Sequence, residues 1–340
     1  MSTAAKRIVL ASRPKGAVTP ENFRLENHDV PDPREGEVLI RVTAMSLDPY
    51  MRGRMDDAKS YAKPVEVDQV MEGGAVGEVI ASNADGFAEG DMVFGMTGWC
   101  DHAVMPAKEL RKVPDGVPAT AVLGVLGMPG FTGWYGLTHI GKPKAGETLV
   151  VAAATGPVGS MVGQLAKHKG LRAVGIAGGA EKCAHAKEVF GFDECLDHRA
   201  YGDAREMRKA LGEACPDGID VYFENVGGKV LEGVLPNMNT FGRMPVCGVI
   251  AWYDGAGADE ANKLPAAWRS ILVNRLAVQG FIIMDHWDLL NDFLSVVAPL
   301  VANGTIKYTE DVAEGLENAP EAFMSMLKGG NFGKQIVKIA

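Results

Sequence analysis

Thr148-Leu-Val-Val-Ala-Ala-Ala-Thr-Gly156-Pro-Val-Gly159-Ser-Met-Val-Gly-Gln-Leu-Ala-Lys-His168 is an apolar run, a glycine turn and an amphipathic stretch in succession. This is the order strand, turn, helix that a dinucleotide-binding unit requires. Gly156 permits a tight turn with backbone N–H groups open to a pyrophosphate. Pro157 suits a first helical turn, where its missing N–H costs little. Gly159 lets the new helix lie close to the strand, and its N-terminus offers unpaired donors to an anion. Met161, Val162, Leu165 and Ala166 recur at helical spacing and give the helix one apolar face. Gly156, Pro157, Val158 and Gly159 are therefore the candidate pyrophosphate cradle.

The next strand, Leu171–Ala177, ends in Gly178-Gly179-Ala-Glu181-Lys182-Cys183. An NAD site places a carboxylate on the ribose about twenty residues past the turn. Here that strand end has no carboxylate, and Lys182 follows within the next helical turn, in reach of a 2′-phosphate. NADP(H) is the expected cofactor, with Glu181 the residue that competes with this reading by offering itself to a ribose hydroxyl.

Length and composition agree with a two-domain globular protein: 340 residues, 47% hydrophobic and 23% charged. A net charge of −9 gives no basic surplus for a nucleic-acid partner. No long apolar segment follows the N-terminus, so neither signal peptide nor membrane span is expected and the cytoplasm is the expected location. Cys100, Cys183, Cys195, Cys215 and Cys247 are scattered, without a Cys-x-x-Cys pair, and read as reduced thiols with no metal site. No Gly-x-Ser-x-Gly elbow is present, so hydrolysis lacks a local signature.

Residues 1–128 are β-rich and punctuated by turns, with strands at Glu37–Met45 and Ala75–Ala81 and a glycine-flanked strand within Gly86–Gly95. From about Ala145 apolar strands alternate with helices: Thr148–Ala153, Ala173–Ala177, Ile219–Phe223, Met244–Val249 and Val278–Ile283. That alternation predicts a parallel, doubly wound sheet. His286–Leu294 reads as an amphipathic helix, Phe332–Ile339 as a last strand returning to the first domain, and Asp254–Lys263 as a mobile loop beside the cofactor.

The blocks Ser46–Met55, Gly127–Leu137, Ala153–Ser160, Tyr222–Gly228, Cys247–Tyr253 and Gly330–Gln335 occur in that order. In this arrangement the chain resembles the medium-chain dehydrogenase/reductase superfamily over essentially its whole length. It is most similar to the zinc-independent prostaglandin and leukotriene reductases, the alkenal double-bond reductases and curcumin reductase. The resemblance implies an α/β fold with an N-terminal GroES-like β-barrel domain (1–128 with 309–340) and a Rossmann doubly wound parallel-sheet domain (129–308). The zinc-dependent branch shows a Gly-His-Glu segment and a four-cysteine cluster; here the comparable stretch is Met71-Glu-Gly-Gly, without histidine.

The resemblance also implies roles for single residues. Lys182 would meet the 2′-phosphate, with His198 standing where family members often carry tyrosine and Arg199 beside it. Asn225, Cys247 and Gly248 would contact the ribose and nicotinamide side, and Phe281, Ile283 and Asn331 would line the nicotinamide. Tyr253 would support the carbonyl of an enone or enal as hydride reaches its β-carbon, a role the cofactor's ribose hydroxyl could share. Tyr50, Met128 and Trp252 would shape a mostly apolar substrate pocket between the domains. The family's habit of pairing the strand around Val278–Ile283 implies a homodimer. Two alternatives stay open at this point: an NADPH quinone oxidoreductase, and a non-catalytic nucleotide-binding protein.

Overall fold

The computed structural model describes residues 2–254 and 264–339; the loop read at Asp254–Lys263 lies, from residue 255 on, outside them. The chain divides into two units, Met1–Gly127 with Glu310–Ala340, and Met128–Thr309.

In the first unit β1 (Ser2–Leu10) and β2 (Phe23–Pro31) pair antiparallel. A seven-stranded sheet holds β3 (Glu37–Ser46), β4 (Ala75–Ser82), β5 (Met92–Gly95), β6 (His102–Pro106), β7 (Arg111–Lys112), β14 (Glu310–Glu314) and β15 (Lys334–Lys338). Its order is β14-β15-β3-β4-β5-β7, with β6 also paired to β3. The last strand of the chain therefore closes on β3, as its apolar run Ile336-Val337 requires: both side chains are buried. Two helices, α1 (Tyr50–Arg54) and α9 (Ala319–Leu327), complete the unit. Its core is organised by aromatic rings, Trp99 stacked on Phe23 at 5.5 Å and meeting Phe323 edge-on at 5.5 Å.

The second unit is a six-stranded sheet in which every neighbouring pair is parallel. It comprises β8 (Thr148–Ala152), β9 (Arg172–Ala177), β10 (Glu194–Asp197), β11 (Ile219–Phe223), β12 (Met238–Val246) and β13 (Ala277–Gly280), in the order β10-β9-β8-β11-β12-β13. The helices are α2 (Met128–Tyr135), α3 (Pro157–His168), α4 (Ala180–Glu188), α5 (Ala204–Ala214), α6 (Gly228–Val234), α7 (Leu264–Asn274) and α8 (Leu290–Ala302). All five residues of β8 are buried, as a central parallel strand covered on both faces must be. The β13 edge is exposed along all four residues. Three boundaries differ from the sequence reading. The β12 strand starts at Met238 and stops at Val246, β13 is only four residues, and the helix after it begins as a 3-10 segment (Ile283–Leu289) before α8.

Candidate active site

The strand order reverses between β8 and β11, and at such a switch point an open parallel sheet leaves a crevice beyond its carboxyl ends. Asn225 bridges that crevice: its Nδ2 donates to the Ala152 carbonyl at 2.8 Å, tying the end of β11 to the end of β8. The segment read as a glycine turn lies here. Ala153 takes a left-handed conformation (φ 54°), the Gly156 N–H donates back to its carbonyl at 3.0 Å, and α3 starts at Pro157. The N-cap residue, Gly156, has no side chain to cap that helix, so its first N–H groups face an anion's place. A Cβ on Gly159 would stand 2.2 Å from the Ala153 oxygen, so the close approach of helix to turn exists only because residue 159 has no side chain.

A second cluster closes over the end of β9. A Cβ on Gly178 would lie 2.9 Å from His198 Nε2 and 3.0 Å from Arg199 Nε, which places both side chains directly above the strand end. The Asp197 carboxylate is committed to the backbone, accepting from the Gly179 N–H at 2.8 Å and the Arg199 N–H at 2.9 Å. Burial, then the positive fields of Lys229, Arg199 and Lys182, hold the His198 imidazole below its ordinary pKa, against the pull of Asp197. Three cations thus converge on one corner that offers no uncommitted strand-end carboxylate, while Glu181 is exposed on α4. A glycine cradle at the switch point and a cationic corner at the next strand end fit the pyrophosphate and 2′-phosphate of NADP(H).

On the other side of the crevice, the backbone from Cys247 to Tyr253 is stitched to the turn after β11. Cys247 N–H donates to Glu224 O at 2.9 Å, Ile250 N–H to Asn225 O at 3.2 Å and Ala251 N–H to Val226 O at 2.9 Å. Burial, then Glu224, pushes the Cys247 thiol up to about 12. The Tyr253 hydroxyl stands 3.0 Å from where a Cβ on Gly248 would be, so the phenol folds back over the Cys247–Gly248 strand end. The Trp252 ring covers Gly227 and remains 38% exposed.

The Phe281 ring packs within the second unit. It presses on Gly136, where a Cβ would meet it at 2.8 Å, and lies 5.5 Å from the Tyr135 ring. Ile283 is buried, and Met128 opens α2 with its carbonyl accepting from the Thr132 hydroxyl at 2.7 Å. Tyr50 and Asn331 belong to the first unit. The Tyr50 phenol is pushed well above its ordinary pKa by burial, then by Asp48 and Glu72, and the Arg54 guanidinium lies 5.5 Å from its ring centre. Asn331 donates from Nδ2 to the Gly333 carbonyl at 2.7 Å, inside the turn that leads into β15.

Two residues of this region escaped the sequence reading. Glu224 is 1% exposed, and its carboxylate accepts from the N–H groups of Val226 and Gly227 and from the Tyr222 hydroxyl. Burial raises its pKa against those donors, and they shape the turn that presents Asn225. An acid directly after an apolar strand and before Gly-Gly was the available signal. Lys229, whose Nζ donates to the Tyr201 carbonyl at 2.6 Å, joins the cationic corner from α6, 32 residues past the end of β10 at Asp197 and unreadable from spacing.

Strand order and glycine turn together define a Rossmann-type dinucleotide-binding unit joined to a β-rich unit. Residues 6–113 match the family described as the N-terminal domain of oxidoreductase, and residues 157–300 the zinc-binding dehydrogenase family. Among the described residues no group of three or more His, Cys, Asp or Glu could hold a metal ion. The NADPH-dependent curcumin reductase of Escherichia coli (strain K12) is 51% identical over 98% of this chain and 97% of its own. The 2-alkenal reductase (NADP(+)-dependent) of Nicotiana tabacum is 40% identical over 89% of this chain and 88% of its own. The crystal structure of CurA in complex with NADPH from Vibrio vulnificus superposes with a TM-score of 0.93, at 48% identity, over 98% of this chain and 99% of that one. The chain belongs to the medium-chain dehydrogenase/reductase superfamily, in the zinc-independent reductase family of the curcumin, 2-alkenal and prostaglandin reductases.

Proposed function

We propose that the chain reduces the carbon–carbon double bond of α,β-unsaturated ketones or aldehydes, with NADPH as the reductant. The observation that carries this reading is the pairing, within one unit, of the Gly156–Gly159 cradle with the cations around the end of β9. When bound, NADPH supplies the hydride. The chain's part is to hold and orient: the N-terminus of α3 takes the pyrophosphate, and Lys182, His198 and Arg199 take the 2′-phosphate. The Cys247–Gly248 backbone and Asn225 border the ribose and nicotinamide. As the β-carbon gains hydride, negative charge builds on the carbonyl oxygen, and the Tyr253 hydroxyl donates to it. A phenol is too weak an acid to protonate the enolate fully at neutral pH, so its work is electrostatic. Tyr50, Met128 and Trp252 keep their proposed roles toward substrate, and Phe281, Ile283 and Asn331 theirs toward nicotinamide. We also place the protein in the cytoplasm as a homodimer, supported by the exposed β13 edge, a ready template for strand pairing.

The test is NADPH oxidation followed with enals, enones, curcumin-like dienones and quinones, with NADH in parallel. Fast turnover of enones with NADPH is expected; preference for quinones, or tight NADPH binding with no turnover, overturns the reading. Lys182→Ala should raise KM for NADPH about 10- to 100-fold, the worth of one hydrogen bond to a charged group, while leaving NADH kinetics unchanged. Equal losses with both nucleotides would remove Lys182 from the phosphate site. Tyr253→Phe should lower kcat about 10²- to 10³-fold, as loss of one donor to a developing oxyanion does, with KM for NADPH held. An unchanged kcat would assign the carbonyl contact elsewhere.

A further inference from the structure

After α1 the chain makes a loop, residues 56–64, between the buried side chains of Met55 and Val65. Its two ends are closed on each other. The Val65 N–H donates to the Arg54 carbonyl at 2.8 Å. The Arg13 guanidinium clamps the same neck from outside, its Nη1 donating to the Met55 carbonyl at 3.1 Å and the Val65 carbonyl at 3.0 Å. Met55 and Val65 enter one apolar core, whereas every residue from Asp57 to Lys63 is exposed. A loop with a fixed neck and a solvated tip is able to lift as a flap while its flanks stay packed.

The tip is held by a ring. The Arg54 guanidinium lies over the Tyr61 ring, 4.5 Å from its centre, and the Tyr61 side of this contact is 56% exposed. Arg54 itself is buried, and its Nε donates to Glu72 Oε2 at 3.1 Å, which fixes the cation from the far side of the loop in sequence. The same guanidinium lies over the Tyr50 ring at 5.5 Å. One buried cation is therefore shared between the tip of the loop and the tyrosine placed toward substrate. A cation–π contact of this kind is strong enough to hold a solvated loop down and weak enough to open in each catalytic cycle.

We propose that Tyr61 latches loop 56–64 onto Arg54 beside Tyr50, and that this latch sorts substrates by bulk: a small enone enters with the loop held down, whereas a diaryl dienone must lift it. The sorting rests on the reading above that Tyr50 shapes the substrate pocket. A substrate that needs the lifted loop has its affinity reduced by the fraction of molecules in which the loop is lifted, and a substrate that fits beneath it suffers no such reduction. Tyr61 is then a specificity-determining residue, with Arg54 and Glu72 as the residues that position its partner. The hydride step is untouched by it.

The experiment compares the full-length parent with Tyr61→Ala and Tyr61→Phe, each checked for an unchanged melting temperature. Limited trypsin digestion, read by peptide mass, reports the latch without any turnover. Lys63 precedes Pro64 and resists trypsin, so Lys59–Ser60 is the cleavable bond of the loop, and its nicking tracks the lifted fraction. Kinetics at saturating NADPH with 3-penten-2-one and with curcumin report the sorting. Tyr61→Ala should be nicked about five- to tenfold faster and show a KM for curcumin lower by a similar factor, the worth of one cation–π contact. Its KM for 3-penten-2-one and both kcat values should hold, and Tyr61→Phe, which keeps the ring face, should match the parent. Unchanged nicking of Tyr61→Ala, or nicking of Tyr61→Phe as fast as that of Tyr61→Ala, overturns the latch. Faster nicking with an unchanged or raised KM for curcumin overturns the sorting, a raised value making Tyr61 a wall of the pocket instead. Failure of the parent to turn over either substrate strikes the enone reading, while the nicking rates still decide the latch.

Discussion

Gly159→Ala will cost the protein both stability and affinity for NADPH, whereas Gly156→Ala will cost affinity alone. The difference follows from what each new methyl group meets. At residue 159 a Cβ would lie 2.2 Å from the Ala153 oxygen, 2.8 Å from the Ala153 carbonyl carbon and 3.0 Å from the Ala154 Cα. All three are backbone atoms, so no side chain can swing aside, and α3 must withdraw from the turn. Ala153 already sits in the left-handed region at φ 54°, so the turn holds strain of its own and has little freedom to relax. Overpacking of this kind costs about 3 kcal/mol, and the displaced helix N-terminus no longer faces the pyrophosphate, for a loss of affinity on the order of 100-fold. Residue 156 differs: its φ of −70° and ψ of 166° suit any residue, and among the described residues the added Cβ meets only the Ala153 oxygen, at 3.3 Å, a contact that a shift of a few tenths of an ångström relieves. Its methyl group would protrude into the space a pyrophosphate needs, leaving the melt as it was or about 0.5 kcal/mol higher through a stiffer unfolded chain. Denaturant melts and NADPH titrations of the two variants decide the matter. A Gly159→Ala protein that melts like the parent would show that α3 is not held by this contact.

The same turn shows why some of the molecule could be read in the sequence and some could not. The β8–α3 unit announces itself because steric need and hydrophobic period fall within twenty consecutive residues. The return of Ile336-Val337 to the first unit was readable because an apolar strand at the end of a chain needs a neighbour. The ends of β12 were not: Met238–Arg243 carries polar side chains, Phe241 adopts φ 64°, and the pairing with β11 shifts register there. The strand stops at Val246 because the next N–H groups are claimed by Glu224 and Asn225, a long-range competition that no local pattern reveals. Phe281, placed toward the nicotinamide by resemblance, also packs on Gly136 and Tyr135, contacts that no local pattern reveals. The cationic corner was half visible: Lys182 came from spacing and His198 with Arg199 from resemblance, whereas Lys229 needed the fold.

Lys334→Met is expected to destabilise the protein by about 3–5 kcal/mol, the cost of stripping a buried charge of its partner. Lys334 is 3% exposed and donates from Nζ to Asp48 Oδ1 at 2.8 Å and to the Leu47 carbonyl at 2.7 Å. Asp48 also accepts from the Ser46 hydroxyl. Across the β14–β15 ladder stands Glu310, in register with Lys334; its Oε2 accepts from the Thr120 hydroxyl at 3.1 Å, and its pKa is raised, chiefly by burial. One buried ammonium therefore answers two carboxyl groups, and burial drives its own pKa down against the pull of Asp48 and Glu310. Methionine fills the lysine stem's volume but leaves Asp48 charged and enclosed. Asp48→Leu should cost a similar amount for the opposite reason, and the double variant should recover most of the loss, since an apolar pair of like volume can match a buried ion pair. Urea melts of the four proteins give the coupling directly. The pair also anchors the Leu47–Pro49 segment from which α1 starts at Tyr50, so kinetic effects on substrate KM should follow the stability losses through the cycle. Four melts within about 1 kcal/mol of one another would mean that water reaches this cluster, since screened pairs are worth no more than that, and would release Lys334 from the anchoring role.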